Sequence, residues 1–316
     1  MVAHSHHNKP LDQFSQRHQL VGLSYPTLNA LLHGEYQVEQ GHAFLQFQQR
    51  INNELLQHPV IKRNSYCQWF SQGEVDLQQL QYFIIQFSVF SNQFLIAQLY
   101  KMLAADTLEN MHSSKEILAN ELGVVFCQTA QTTAEQQPIS LNQSEQSFGA
   151  ISGSIEGGRF RFQSAHFELL LKTAEPLGLT FGQLGKRKQA NAETLFFCDE
   201  LVRLYGSEDY QSAAAASYAV ENWANAGFWA QLISGLNIFK RKHNMPQLPI
   251  TFFSWHDKLE ASHAQHTQSE LEQYFFNKPV DCDRFISEAY EMLDGVHTFW
   301  LGLEQARKTP RGRALH

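Results

Sequence analysis

Charge is what this sequence has least of. Asp, Glu, Lys and Arg make up 17% of its 316 residues, against roughly 25% in ordinary globular domains. The formal net charge is −7 with histidine neutral, and the longest basic cluster is Lys240-Arg241-Lys242. That balance excludes a nucleic-acid binder that works by neutralising phosphates. Cysteine is scarce as well. Cys67, Cys127, Cys198 and Cys282 form no CxxC pair and are too few for a disulfide framework. No apolar run reaches the roughly 18–20 residues that span a bilayer. The stretch Met1-Val2-Ala3-His4-Ser5-His6-His7 lacks the apolar core of a signal peptide. There is no internal repeat and no clear strand or hairpin pattern. Membrane, secreted and fibrous classes fall away, and the expectation is a cytoplasmic protein with reduced thiols.

What is abundant is apolar. Hydrophobic residues make up 43% of the chain and aromatics 12%, with 24 Phe. Their spacing of three and four predicts an all-α protein. Residues 1–40 read as an N-terminal arm, carrying Pro10 and Pro26 and an apolar patch at 20–32. Residues 41–310 read as a single helical domain. Helices are expected over 41–58, 65–72, 76–105 with Asp76 as N-cap, and 107–122 stopped by Gly123. Further helices are expected over 160–177, 188–205, 208–242, 255–276 and 282–308. Between them, 127–158 is rich in Gln, Ser, Thr and Gly and reads as an inserted polar loop.

The sharpest chemical signal is His256-Asp257-Lys258-Leu259-Glu260-Ala261-Ser262-His263. At about 100° per residue, His256, Glu260 and His263 fall within about a 60° stripe of one helix. Two imidazoles and a carboxylate suit iron, manganese or zinc, and the same stripe also reads as a solvated polar face. Glu221 stands among small and aromatic residues, with no Lys or Arg from Ser212 to Phe239. A carboxylate buried there needs a partner. Glu121 and His166 also sit in apolar runs. Glu109 and His112 form a competing ExxH pair. It lies about 120° around the helix from Glu121, so the two sets do not face one site. Phe87, Phe94 and Phe228 are candidate walls for a substrate. No residue is singled out as an acid, base or nucleophile.

Taken in order, these elements resemble the heme-oxygenase-like diiron oxidases and oxygenases, which share their helical fold with thiaminase II and pyrroloquinoline-quinone synthase. The resemblance covers about residues 55–300. It begins at Asn64-Ser65-Tyr66-Cys67-Gln68-Trp69-Phe70 and the long helix after Asp76. It continues through Asn120-Glu121-Leu122-Gly123, His166-Phe167-Glu168-Leu169-Leu170, Glu221 and the terminal His256/Glu260/His263 set. It implies a bundle of about seven core helices and two Fe(II) per chain held by Glu121, His166, Glu221, His256, Glu260 and His263. It also implies an oxidoreductase that activates O2 to oxidise a small organic substrate, by N-oxygenation, desaturation or C–C cleavage. The partners implied are that substrate and an external electron donor, with no nucleic acid and no membrane; homodimers are common for the fold. Two departures stand out. Glu121 and His166 are 45 positions apart, where the family keeps them within a few turns, and Glu260 replaces the more usual Asp. The rival readings are a metal-free enzyme of the thiaminase II or quinone synthase type, and a non-catalytic iron-binding or partner-binding helical protein.

Overall fold

The computed structural model describes residues 9–128, 152–155, 158–164 and 166–309; within these, the side chains of 113, 125–128, 152–155, 158–162, 259–263 and 266 lie outside the description. Residues 1–8 of the arm and much of the 127–158 insertion therefore fall outside it.

Two short helices, α1 (Lys9–Arg17) and α2 (Tyr25–Leu32), open the chain. Leu20, Leu23, Leu28 and Leu31 are buried against the body. Ser24 pins the arm, its N–H and hydroxyl both donating to Glu272 Oε1 at 2.9 Å. Then α3 (Val38–Arg50) runs into a π-helical turn at Ile51–Leu55, followed by the short α4 (Pro59–Lys62) and α5 (Ser65–Ser71). The long α6 (Leu77–Leu103) starts at the expected place. Asp76 Oδ1 accepts from Gln79 N at 2.9 Å and Gln79 Oε1 accepts from Asp76 N at 3.0 Å, a reciprocal cap that satisfies two orphan donors. Next come α7 (Leu108–Glu121), α8 (His166–Ala174), α9 (Ala192–Tyr205), α10 (Tyr210–Ala224), α11 (Phe228–Lys242), α12 (Thr251–Asn277) and α13 (Cys282–Lys308).

The body is a helical bundle. α6 packs on α7, α8 and α9; α13 packs on α9 and α10; α12 packs on α10 and α11. One hydrophobic core runs through it from Leu11 to Leu303. No helix among the described residues is long and apolar enough to cross a membrane.

Two sequence expectations need correction. The 208–242 stretch is two helices, not one. It breaks at Asn225-Ala226-Gly227, where Gly227 takes φ 89°, a left-handed value that glycine adopts without strain. Trp223 and Phe228 stack across the corner at 4.7 Å and 10°. Second, the insertion carries a small antiparallel sheet of β1 (Val124–Gln128), β2 (Ser152–Ile155) and β3 (Gly158–Phe162), in the order β1-β3-β2. The polar composition between them masks two short runs of β-formers, Val124-Val125-Phe126 and Phe160-Arg161-Phe162. Helix α8 accordingly starts at His166, not at 160.

Candidate metal centre

The sheet solves the spacing problem between Glu121 and His166. Val124 pairs with Phe162, and Gln163 N donates to Gly123 O at 2.9 Å. The two strand ends therefore leave the ladder side by side. Glu121 closes α7 just before β1, and His166 opens α8 just after β3. Residues far apart in sequence are delivered to one spot by the root of a hairpin.

There they meet His256 of α12. One carboxylate oxygen of Glu121 and one ring nitrogen each of His166 and His256 lie within 4.8 Å of one another. All three residues are buried, at 4%, 4% and 5% exposure. The hydrogen bonds decide which nitrogens face inward. His166 Nε2 lies 3.2 Å from the Ser91 carbonyl and donates to it, which leaves Nδ1 as a lone pair. His256 Nδ1 lies 2.7 Å from the Phe252 carbonyl and donates to it, which leaves Nε2 for the centre. The rings of His166 and His256 are 5.4 Å apart and steeply inclined.

Glu121 Oε2 and His166 Nδ1 point at each other, and neither has a hydrogen-bond partner. Two buried lone pairs held in contact repel unless they share a cation. Burial pushes the His166 imidazole down to about 4, so the ring itself is neutral. The donor set, one carboxylate and two neutral imidazoles with their outer nitrogens anchored on backbone carbonyls, fits a divalent metal ion. His166 also holds φ at 38°, a left-handed value that a non-glycine residue rarely adopts and that the surrounding packing must enforce.

Around this trio lies a small, partly open cavity. Helix α6 contributes Phe87, Phe90, Ser91 and Phe94, α10 contributes Val220, Glu221, Trp223 and Ala224, and Trp229 and Phe252 come from α11 and α12. No Lys or Arg lines it among the described residues. Glu221, 2% exposed, brings a second carboxylate to the same space. One helical turn before it, Ser217 accepts from Lys101 Nζ at 3.0 Å. Lys101 is fully buried and pairs with Glu270 at 3.0 Å, while the Tyr210 hydroxyl closes onto the same carboxylate. Burial and the Glu270 charge together push the Tyr210 phenol well up.

The structure thus brings Glu121, His166, Glu221 and His256 to one cavity and sets Phe87 and Phe94 in its wall. Glu260 and His263 follow His256 along α12, but their side chains fall outside the described residues. Phe228 does not line the cavity; it is stacked behind the wall on Trp223 and Trp229. Glu109 and His112 lie on an exposed face of α7, away from the buried Glu121. Sequence reasoning missed Ser91 and Phe252, which act through backbone carbonyls and leave no side-chain signal. It also missed Trp229, stacked flat on His256 at 4.6 Å and 19°. That residue follows Trp223 by six in a stretch without charge, a cue that was legible.

No protein-family model matches the chain, and no curated protein matches it. Solved structures do. A TenA homologue from Pseudomonas syringae pv. tomato matches with a TM-score of 0.58 at 11% identity, over 82% of this chain and 92% of that one. A CADD-like protein of unknown function from Nostoc punctiforme matches with a TM-score of 0.52 at 18% identity, over 86% of this chain and 100% of that one. The fold is heme-oxygenase-like. At such identities the likeness is one of architecture, and a heme-oxygenase-like bundle hosts more than one chemistry.

Proposed function

We propose that this protein is a non-heme diiron oxidase or oxygenase that oxidises a small organic substrate in the cavity beneath α6. The observation that carries this reading is the contact between the Glu121 carboxylate and His166 Nδ1, joined by His256, in a buried site lined by no Lys or Arg among the described residues. Glu121, His166 and His256 would hold one Fe(II); Glu260 and His263 would hold the second, with Glu221 as a further carboxylate ligand. Bound Fe(II) would supply the electrons that reduce dioxygen. The chain's own residues supply the rest. Ser91 and Phe252 fix the two imidazoles as neutral ligands. Phe87, Phe90, Phe94, Trp223 and Trp229 keep water out and give an apolar substrate a wall to rest on.

The test is an anaerobic Fe(II) titration of metal-free protein, read as iron bound per chain. Two equivalents are expected. Glu121→Gln and His256→Ala should each lose at least one, while Glu109→Ala and His112→Ala should bind as the parent does. No tight iron would sink the reading and leave a metal-free enzyme on the same fold.

A further inference from the structure

The chain has five Trp, at 69, 223, 229, 255 and 300, and all of them lie in one connected file that begins at the candidate metal centre. Trp229 stacks on His256 at 4.6 Å, and Trp255 meets the same ring edge-on at 4.8 Å. Phe228 sits 4.5 Å from Trp229, 4.7 Å from Trp223 and 5.6 Å from Trp300. Trp223 and Trp300 are 6.3 Å apart. Tyr66 then lies 5.6 Å from Trp300 and 5.3 Å from Trp69. Trp69 ends the file near the surface, at 9% exposure. Phenylalanine shows no such confinement; Phe44, Phe47, Phe275 and Phe276 form their own cluster where there is no Trp. A core filled only for volume has no reason to keep every indole on one line.

Indole is among the most easily oxidised of side chains, and phenylalanine is not. We infer that Trp229, Trp223, Trp300 and Trp69 form a one-electron relay between the metal centre and the surface, with Phe228 and Tyr66 as bridges. The inference rests on the redox-active reading of the centre. In each step one indole gives an electron to its inner neighbour and becomes a radical cation, and it is restored by an electron from its outer neighbour. The centre is reduced by one electron. A soluble one-electron donor of the ascorbate or reduced-flavin class is oxidised by one electron at Trp69. No proton needs to move, because the Nε1–H groups of Trp223, Trp229 and Trp300 are buried and have no hydrogen-bond partner to take one. Tyr66 keeps its proton too, since burial raises its pKa well above the usual phenol range. At the outer end, Arg307 lies 4.5 Å over the Trp69 ring, with its charge offset by Glu304 through two bonds of 2.6 Å. The relay would load the centre with electrons when substrate is present and drain an oxidised centre when it is not.

The relay can be tested without any metal. Gln72 is exposed and three residues from Trp69. A ruthenium polypyridyl photo-oxidant is attached at Gln72→Cys in full-length, metal-free protein, with Cys127 and Cys282 replaced by serine. After a laser flash with a cobalt(III) ammine quencher, transient absorption should show an oxidised indole. Peptide mapping should find oxidation products at Trp223 and Trp229 as well as Trp69. In Trp300→Phe the products at Trp223 and Trp229 should be lost and those at Trp69 kept. Trp69→Phe, at the outer end of the file, is the second variant should Trp300→Phe fold poorly, and it should also lose the inner products. Products confined to Trp69 in the parent, or inner products that survive these variants, would overturn the relay. A second arm exposes Fe(II)-loaded protein to O2 without substrate. Oxidation is expected at Trp69, moving inward to Trp229 in Trp300→Phe. If light oxidises Trp229 but iron and O2 leave every Trp intact, conduction stands and the iron reading fails.

Discussion

His166 is neutral in the folded protein at pH values where the unfolded chain protonates it. Its pKa is pushed down to about 4 by burial, from an ordinary 6.5. Between those values the unfolded state binds a proton that the folded state refuses, so stability is full above pH 6.5 and falls as pH drops towards 4. A shift of that size corresponds to about 3 kcal/mol. His58, buried behind Asp294, is shifted the same way by desolvation and adds to the loss. Urea unfolding of metal-free protein should therefore show a midpoint that falls steadily from pH 7 to pH 4.5, and His166→Gln should flatten that dependence. Saturating metal should raise the midpoint at each pH without flattening that dependence, because an ion on Nδ1 also keeps the proton off the folded state. From the residues alone, Glu121, His166, Glu221 and His256 were legible by type and setting. The tautomers that make the imidazoles usable were not, because they depend on backbone carbonyls of α6 and α12.

At the scale of elements, glycine marks where helices touch. A Cβ at Gly235 of α11 would collide with the Phe70 carbonyl of α5, and one at Gly73 would collide with Ile238. Gly235→Ala gains helix propensity of about 1 kcal/mol, yet a backbone carbonyl cannot rotate away. The clash, at about 3 kcal/mol, is at the upper end of ordinary overpacking costs, so the net loss should be about 2 kcal/mol, read as a lower denaturant midpoint. Gly182→Ala, with open space around it, should leave the midpoint unchanged. Most helices could be read from periodicity, because α6, α7 and α13 begin at side-chain caps on Asp76, Thr107 and Asp281 and α12 is long. The α10–α11 corner escaped, since Asn225-Ala226-Gly227 is too short to interrupt the apolar pattern on either side. The hairpin escaped because its β-forming runs are brief and stand beside a polar stretch. The weakest link in the sequence reading, the gap between Glu121 and His166, is the one that the hairpin closes.

Across the whole molecule, α6, α10 and α12 are bound together by Lys101, Ser217, Tyr210 and Glu270, two residues along α12 from the Glu272 that holds Ser24 of the arm. Lys101→Met strands the Glu270 carboxylate and should cost about 3–5 kcal/mol. Adding Glu270→Leu should recover most of that loss, seen as a denaturant midpoint returning towards the parent's. The β1–β3 ladder has a different kind of reach. The strands pair directly with each other, so the meeting of Glu121 and His166 depends on the few residues of the stem and not on how much chain lies beyond Gln128. Doubling that length costs only about 0.6 kcal/mol of closure entropy. Deleting Gly123 or Gln163 would instead turn His166 away from its partners. Over generations, the separation of these two ligands is therefore free to drift while their encounter is inherited intact. A search for such centres by fixed intervals along a sequence will pass them over.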